Sequence, residues 1–477
     1  MKKTIFLTGA SGSMGSEAFK ELLKRRERFN IVLLLLPGAK EKRAFHKYKN
    51  NEGIKIIWGD ITNYENVLQG VTGADYILNT AAIIPPLADR YPELAAKVNY
   101  DGVKNILQAI QAQPNGCQQI KFVNVASVAM TGDRLPPIHL GRVGDPLKPN
   151  LFDHYALSKI SAEREVIESG LKYWVSLRMT YIAIPNVLSL LNPIMFHQPL
   201  ATCCELITKR DAGFMIVNTC EDHIPETFWR RVYNASGGPN TRFIYHDYLQ
   251  QVMKLLCLGE FKKLMEDKWF CRRNFHCHFF EDAHLLNNYL HHWRDTLQDH
   301  YQQILEESPL ILKLYRSSPL RYLIQPWVIK NLLIKPKAYA KDGPMGWIRN
   351  KERERLLAFF GSDQNQTFSL VKEEKKVGKP FHLNHGYNED KPEKDLNIND
   401  LQTAAKFRGG YCRAVKMKPG DLRTKLEWQC AFGHIFKASP YLVLKTGHWC
   451  PVCDLSPWNH SEIATKNPFF AQVWNRY

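Results

Sequence analysis

The chain has 477 residues, of which 44% are hydrophobic, 12% aromatic and 23% charged, a composition typical of folded globular proteins and unlike that of disordered or fibrous chains. Its longest purely apolar run, Ile31 to Leu36, is far shorter than the roughly 20 residues of a membrane-spanning helix. The N-terminus lacks the apolar core of a secretory signal, and the eleven cysteines are an odd number, unsuited to full disulfide pairing. We therefore expect a cytoplasmic protein with no membrane partner.

The formal net charge is +17, and it is unevenly distributed. Residues 401–477 contain eleven basic and four acidic residues, so the C-terminal part is the more basic per residue. Such an excess indicates either a solvated basic surface or an anionic partner, which could be a nucleic acid, a membrane surface or an anionic metabolite. Both interpretations stay open from the sequence.

Residues 1–180 alternate short β-branched and apolar runs with segments of helical periodicity, the pattern of βαβ units. This predicts an α/β fold of the Rossmann type, with a doubly wound parallel sheet. Helices are expected near 100–112 and 152–168. The predicted strands are 4–8, 31–36, 54–58, 76–78, 121–125 and 174–177.

Three further regions follow this first unit. Residues 181–330, rich in aromatics and histidines, are predicted to form a mixed α/β substrate-binding lobe of the same unit. Residues 331–400 read as a helical and charged linker, whose stretches 371–380 and 388–400 are expected to be mobile. Residues 401–477 are predicted to form a module too small for a large hydrophobic core. A bound metal ion is one way to stabilise such a module.

A glycine-rich loop lies between the first predicted strand and the first helix. Glycine allows a tight turn, a close approach to a pyrophosphate and the presentation of backbone N–H groups at a helix N-terminus. In a first βαβ unit these properties predict a dinucleotide site. Its residues are Gly9, Ser11, Gly12, Ser13, Met14 and Gly15.

The end of the second strand bears on the choice between NAD and NADP. An NAD site would offer an acidic residue there for the ribose hydroxyls, but the chain continues with Pro37 and Gly38 and then Lys40, Lys42 and Arg43. These cations suit a 2′-phosphate and favour NADP. NAD stays open, because Glu41 or a backbone group could bind the ribose, and the cations could simply be solvated.

Tyr155 and Lys159 are four residues apart on a predicted helix and so share one face. An adjacent ammonium is expected to lower the pKa of a phenol by favouring the phenolate. Ser127 lies upstream, at the end of a predicted parallel strand, where ligands bind in such sheets.

With these pieces in place, residues 1 to about 325 resemble the extended short-chain dehydrogenases/reductases, the NAD(P)-dependent epimerase and dehydratase branch. The matching pieces are TGASGSMG, WGDITN, NTAA, VNYDGVKNIL, Ser127 with Gly132, YALSK and SLRMTYIAIP.

The resemblance implies roles for individual residues in hydride transfer between a nicotinamide and a carbinol or carbonyl carbon. Tyr155 would exchange a proton with the substrate oxygen, Ser127 would hydrogen-bond that oxygen, and Lys159 would bind the nicotinamide ribose. The remaining implied residues are Asp60 and Ile61 at the adenine, Ala81 at the middle of the cofactor and Asn99 as a support.

Departures from the family pattern narrow the reaction. Val128 and Ala129 stand where sugar-nucleotide dehydratases carry an Asp-Glu pair, so that kind of dehydratase is disfavoured. Carbonyl reduction and sugar epimerisation stay open, with a small-molecule substrate that could be a nucleotide-sugar. The alternative to an enzyme is a non-catalytic nucleotide-sensing regulator whose tail binds nucleic acid or protein. A homodimer also stays open.

The C-terminal module contains two ligand pairs, Cys430 with His434 and Cys450 with Cys453. Four soft ligands on a small module fit a closed, structural tetrahedral zinc site. Cys412 and His448 are rival ligands. The segment is similar to small treble-clef zinc modules, and four tryptophans could stack on nucleic acid or instead build its core.

Overall fold

A parallel sheet of seven strands forms the centre of the fold. The structure, a computed structural model, describes residues 2–134, 140–186, 192–319, 326–361 and 382–474. The strands in these ranges are β1 (Lys3–Thr8), β2 (Phe29–Leu35), β3 (Ile54–Trp58), β4 (Tyr76–Asn79), β5 (Lys121–Ser127), β6 (Leu140–Gly141), β7 (Trp174–Met179), β8 (Ile182–Ala183), β9 (Cys203–Glu205), β10 (Ile207–Thr208), β11 (Arg231–Ala235), β12 (Arg242–Ile244), β13 (Phe279–Phe280), β14 (Tyr411–Cys412), β15 (Leu426–Gln429) and β16 (Ile435–Ala438).

The helices cover both faces of the sheet and build the remainder of the chain. They are α1 (Ser13–Lys24), α2 (Ala39–Phe45), α3 (Tyr64–Val71), α4 (Leu87–Arg90), α5 (Pro92–Ala96), α6 (Gly102–Gln111), α7 (Gly116–Gln119), α8 (His154–Ile167), α9 (Lys209–Asn218), α10 (Tyr245–Leu255), α11 (Phe261–Leu264), α12 (Ala283–Leu290), α13 (Leu297–Glu307), α14 (Leu310–Ser317), α15 (Pro326–Ile329), α16 (Lys335–Ala338), α17 (Pro344–Asn350), α18 (Arg353–Phe360), α19 (Ile398–Phe407), α20 (Pro440–Lys445), α21 (His460–Lys466) and α22 (Pro468–Trp474).

The strand order of the sheet is β11-β7-β5-β4-β1-β2-β3, and all its neighbours run parallel. In the register, Ile5 of β1 lies opposite Ile31 of β2 and Tyr76 of β4. The winding direction reverses at β1, so the crevice for a ligand opens beyond the carboxyl ends of β1 and β4. The predicted doubly wound Rossmann-type sheet is confirmed.

Alternation along the strands sends neighbouring side chains into two separate cores. Ile5 and Leu7 pack on one face with α1 and α9, whereas Phe6 packs on the other with α3, α6 and α8. Helices α1 and α9 approach closely, because a Cβ on Gly213 would lie 2.6 Å from the backbone nitrogen of Ala18. The stretch predicted as a substrate lobe thus supplies α9 and the edge strand β11 to the central unit.

The rest of the middle region forms a lobe with its own core. Short pairs β8–β10, β9–β12 and β6–β13 border it. Buried aromatics such as Trp269 and Phe196 fill it, together with residues of α10, α11 and α13 to α17. Within the described ranges, every helix is too short or too polar to cross a bilayer.

The C-terminal module packs on the α3–α6–α8 face of the sheet. Its antiparallel strands β14, β15 and β16 and its helices α19 to α22 share one hydrophobic core with Phe6 and its neighbours. A module of about 75 residues can bury only a small hydrophobic core by itself. Because this module shares its core with the sheet, that size limit does not apply to it.

The segment 388–400, predicted to be a mobile linker, instead packs against the sheet, so that prediction is wrong. Both Glu393 carboxylate oxygens pair with the Arg231 guanidinium of β11, and Leu396 is fully buried. Asn397 and Asp400 form a capping box that begins α19. The other expected mobile stretch, 371–380, lies outside the described residues.

Candidate functional site

The glycine loop lies tightly against the segment that follows β4. Gly9 has a φ of +72°, and a Cβ there would lie 2.6 Å from the backbone nitrogen of Ala81. A Cβ on Gly15 would lie 2.7 Å from the Thr80 hydroxyl. Larger residues at these positions would push α1 away from the sheet.

The exposed side of this loop is shaped to receive an anion. Ser11, Gly12 and Ser13 are exposed, whereas Met14 and Gly15 are buried beneath them. The Gly12 N–H donates to the Gly9 carbonyl over 2.9 Å, which closes the turn just before α1 begins. Unpaired N–H groups at such a helix start favour a pyrophosphate.

Asn99 fixes the loop that follows Ala81. Its side-chain amide makes two hydrogen bonds with the Ile83 backbone. The amide oxygen accepts from the N–H over 2.8 Å, and the amide nitrogen donates to the carbonyl over 2.9 Å. The same amide nitrogen donates to Ser158 Oγ over 3.0 Å. Because Ser158 lies on α8 between Tyr155 and Lys159, Asn99 connects the two walls of the crevice.

Two predicted adenine contacts follow β3, and three predicted cations follow β2. The Asp60 carboxylate accepts from the Thr62 N–H over 2.8 Å and so holds this turn, while Ile61 packs beside Gly102 of α6. Cations near the end of β2 are exposed on α2, at the same edge of the sheet as the turn. They are Lys40, Lys42 and Arg43.

The structure brings Ser127, Tyr155 and Lys159 together. Ser127 ends β5, where its Oγ accepts from the Ala129 N–H over 3.1 Å and hydrogen-bonds the Tyr155 phenol. Asp153 caps α8 by accepting from the Ala156 N–H over 2.8 Å, which sets where the helix begins. Lys159 Nζ donates to the Val125 carbonyl over 2.7 Å and lies 5.7 Å from the centroid of the Tyr155 ring.

The ionisation of this pair differs from the sequence expectation. Burial raises the pKa of Tyr155 to about 12, the hydrogen bond from Ser127 opposes this shift, and the Asp153 charge adds to it. Burial also lowers the pKa of Lys159 to about 8, against the attraction of Glu163. Burial is the largest cause of the Tyr155 shift and the pKa is raised, so the expected lowering of the Tyr155 pKa by Lys159 is not seen in this arrangement. With a raised pKa, the phenol keeps its proton at neutral pH.

A pocket of about 100 Å³ opens at the start of α8, where His154 is among its lining residues. Its lining includes Asp89 and Asp153, and Asp153 Oδ2 lies 3.4 Å from His276 Nδ1. Partial enclosure raises the pKa of Asp89 to about 7, with the Asp153 charge adding to the shift. A larger concavity, of about 320 Å³, belongs to the C-terminal module and shares no lining residue with this pocket.

The four predicted metal ligands also converge. Their ligand atoms all lie within 4.8 Å of one another, and His434 Nδ1 is 3.3 Å from Cys430 Sγ, 3.5 Å from Cys450 Sγ and 3.7 Å from Cys453 Sγ. Zn–S and Zn–N bonds of about 2.3 and 2.0 Å place the corners of a tetrahedron about 3.5 to 3.8 Å apart. The donor set therefore fits zinc in chemistry and in spacing.

The rival ligands have other positions. Cys412 is buried in β14, where it pairs with Trp428 of β15, and it is outside the four-residue cluster. His448 donates from Nε2 to the Glu163 carboxylate over 3.1 Å. Gly433, with a φ of +81°, makes the turn that returns His434 to Cys430.

A buried charge network joins the module to α8, and sequence reasoning missed it. The fully buried Arg178 guanidinium donates to Glu163 Oε1 over 2.6 Å and to the Thr446 carbonyl over 2.7 Å. Arg164 donates to the Trp449 carbonyl over 3.1 Å. The helix that carries Tyr155 and Lys159 therefore rests on the module, with no local sequence signal for these distant pairs.

Other large or polar residues of the module are buried and contact the protein interior. Trp428 and Trp449 are buried, and Arg408 is buried with its guanidinium bonded to the carbonyls of His385 and Val443. No disulfide bond joins any two of the eleven cysteines, all of which lie in the described ranges. In the described ranges, the histidines of the middle lobe join no group of three metal-ligating side chains.

Comparisons with known proteins agree with this geometry. Residues 5–197 match the model of the NAD dependent epimerase/dehydratase family. The chain is 30% identical over 172 residues to a 3-beta-hydroxysteroid dehydrogenase of Mycolicibacterium neoaurum, covering 34% of this chain and 42% of that protein. It is 31% identical over 110 residues to a UDP-glucose 4-epimerase of Rickettsia bellii, covering 22% and 32%. The chain thus spans less than half the length of these relatives.

Solved structures share the fold. A dTDP-glucose 4,6-dehydratase from Bacillus anthracis in complex with NAD superposes with a TM-score of 0.50 at 17% identity, covering 67% of this chain and 98% of that one. A double mutant of the Streptomyces venezuelae dTDP-glucose 4,6-dehydratase gives 0.51 at 15% identity, covering 66% and 97%. These structures show that the chain shares the fold of these enzymes, and the stretch that matches the NAD dependent epimerase/dehydratase family model, residues 5–197, contains the glycine loop, most of β1 and strands β2 to β5 and β7.

Proposed function

We propose that the chain is an NAD(P)-dependent oxidoreductase of the extended short-chain type, acting on a carbonyl or hydroxyl group of a small molecule. The observation that carries this proposal is the position of Ser127, Tyr155 and Lys159 at the sheet edge where the glycine loop opens. The relatives are a steroid dehydrogenase and nucleotide-sugar enzymes, so the substrate is sought in those two classes.

The residues present fit a dinucleotide, whose nicotinamide would supply or accept a hydride when bound. Gly9 and Gly15 leave room for the backbone to approach a pyrophosphate, and Lys159 is placed to hold the nicotinamide ribose. In the reductive direction, Tyr155 Oη would donate its proton to the carbonyl oxygen, which Ser127 would hold, and the phenolate would then recover a proton from water. Because burial raises the pKa of Tyr155 to about 12, the phenol keeps its proton at neutral pH and can act as the donor.

The experiment that tests the proposal is a titration of NADPH and NADH fluorescence with the full chain, followed by turnover assays on ketones, aldehydes, steroids and nucleotide-sugars. We expect saturable cofactor binding and cofactor oxidation with one carbonyl class. A chain that binds neither cofactor would contradict the proposal.

We infer that the cofactor is NADP(H), with Lys40 and Lys42 as ligands of its 2′-phosphate. Replacing both with glutamate is expected to weaken NADPH binding about tenfold or more, because each charge-assisted contact to a phosphate contributes about 1.5 to 3 kcal/mol. NADH affinity should change little. The measurement is the ratio of the two dissociation constants by fluorescence, with Lys20→Glu on the exposed face of α1 as control. An equal loss for both cofactors would argue for NAD(H) and against this role.

We also propose that Cys430, His434, Cys450 and Cys453 hold one structural zinc ion. Metal analysis of the purified chain is expected to find about one zinc, lost in Cys450→Ser and kept in Cys412→Ser. Cys412 is a matched control because it is a buried cysteine of the same module outside the cluster. Zinc retained in Cys450→Ser, or lost in Cys412→Ser, would refute this ligand set.

The alternative of a nucleotide-sensing regulator with a nucleic-acid-binding tail has weaker support. Trp428 and Trp449 are buried, so they offer no face on which a base could stack. Arg408 is engaged in the interior of the module, and Arg423 lies 3.9 Å from the Tyr441 ring centroid. These positions favour a module that supports the enzyme.

A further inference from the structure

A group of large apolar side chains is exposed on helices α14 to α16. Leu310, Ile311 and Leu314 of α14 are 70%, 75% and 58% exposed, and none of the residues of this helix is buried. Trp327 of α15 is 69% exposed, and the π-helical turn after it adds Leu332 and Leu333. We call these six side chains the apolar tip. Single exposed leucines are common in proteins, but such a group marks an interaction surface.

Two contacts bring α14 and α15 to the same place on the lobe. The Tyr315 hydroxyl of α14 donates to the carbonyl of Cys257 over 3.3 Å. Two residues further along that loop, a Cβ on Gly259 would lie 3.5 Å from the Pro326 ring of α15. Leu312 packs toward the core of the lobe, and Ile329 is buried in it. The inner sides of both helices are thus anchored, and the apolar tip faces outward.

The charge of this segment identifies its partner. From Ser308 to Lys341 the sequence contains seven basic and no acidic residues. Lys335 and Lys337 are exposed beside the apolar tip, whereas Lys330 is paired with Glu266 over 2.9 Å. The surface therefore combines exposed leucines, an isoleucine and a tryptophan with the exposed cations Lys335 and Lys337.

Other occupants fit this combination less well. A second copy of the chain would bring the same cations to the contact, and like charges oppose association. A nucleic acid would satisfy the cations but leave aliphatic side chains without an apolar partner. An anionic bilayer offers an apolar layer, an interface that tryptophan favours, and negative headgroups.

We propose that the apolar tip inserts into the surface of an anionic lipid membrane, with Lys335 and Lys337 at the headgroups. The helices lie in the interface and do not span it, in keeping with their short length. This proposal departs from the expectation, drawn from the sequence, of no membrane partner. The inference is independent of the proposed reaction, since none of these residues touches the crevice.

The test is co-sedimentation of the full chain with vesicles of equimolar phosphatidylcholine and phosphatidylglycerol. We expect the wild type to bind these vesicles, and binding to fall about tenfold or more in Ile311→Asp combined with Trp327→Asp. Leu285→Asp, an equally simple change at an exposed leucine of α12, should leave binding unchanged. Pure phosphatidylcholine vesicles and high salt should both weaken it.

Light scattering of the same proteins without vesicles separates the remaining outcomes. If the wild type is a dimer and the double variant is a monomer, the apolar tip is a self-association surface and the membrane proposal is overturned. Absence of vesicle binding by the wild type, or equal binding by the double variant, overturns it as well. Thermal unfolding, measured on each variant, reports whether the fold is retained.

Discussion

Tyr155→Phe is expected to lower kcat by about 10²- to 10⁴-fold, because it removes the only proton that the phenol can give to the substrate oxygen. Cofactor affinity should stay close to that of the wild type, since Lys159 keeps its bond to the Val125 carbonyl over 2.7 Å. The measurement is steady-state turnover on the carbonyl substrate found in the panel, together with cofactor fluorescence.

Tyr173→Phe is the matched control for that experiment. Its hydroxyl donates to Glu226 over 2.8 Å at the surface, away from the crevice, so its loss should leave turnover unchanged. Ser127→Ala should lie between the two, because the substrate oxygen loses one of its two partners. Normal turnover in Tyr155→Phe would remove the tyrosine mechanism, even if the cofactor still bound.

Arg178→Ala is expected to lower the free energy of unfolding by about 3 to 5 kcal/mol, the typical effect of breaking a buried ion pair. Arg178 and Glu163 are both fully buried, and the change leaves the carboxylate with His448 and Ser176 as partners. The measurement is denaturant or thermal unfolding of the full chain.

The pH dependence of Arg178→Ala tests the cause of its instability. Although burial acts to raise it, the pKa of Glu163 is held at about 2 by the Arg178 charge and by hydrogen bonds from His448 and Arg178. Its stabilising contribution is therefore complete above the usual carboxyl pKa and is lost as the pH falls toward 2. Without Arg178 the carboxylate protonates more readily, so the difference from the wild type should narrow as the pH falls.

Arg231→Ala provides the control for burial. Arg178 joins the sheet to the C-terminal module through the Thr446 carbonyl, and Arg231 joins it to the segment before α19 through Glu393. The side chains of the second pair are 37% and 36% exposed. Partly exposed pairs of this kind contribute about 1 kcal/mol or less. A loss for Arg231→Ala as large as that for Arg178→Ala would show that the contact between the regions matters and that burial of the pair does not.

The parts of the fold that local patterns determine were predictable. Strands β1 to β5 and β7 are short apolar runs, and the glycine loop follows from what a turn before a helix requires. The metal cluster was predictable for a similar reason. Each ligand pair is held by a tight turn within a few residues, so a single long-range contact is enough to bring the two pairs together. Strand β11 was missed, since the five residues RVYNA contain no distinctive apolar run.

The features that could not be predicted from the sequence depend on contacts between residues that are far apart in the chain. Glu163 and His448 are separated by 285 residues, and Glu393 and Arg231 by 162. The composition of the 388–400 segment is typical of a linker, although Glu393 in this segment pairs with Arg231 of the sheet. The raised pKa of Tyr155 was not predicted because burial, which a helical spacing does not report, is the largest cause of the shift.

The shared core of the sheet and the C-terminal module has a consequence for synthesis on the ribosome. Helices α3, α6 and α8 leave the exit tunnel long before the residues that cover them. At about 5 to 20 residues per second, the delay is on the order of tens of seconds. During that interval the nascent chain presents an uncovered apolar surface. Chaperones that bind nascent chains are therefore expected to bind this face. They should be released when the last helix has been synthesised and covers it.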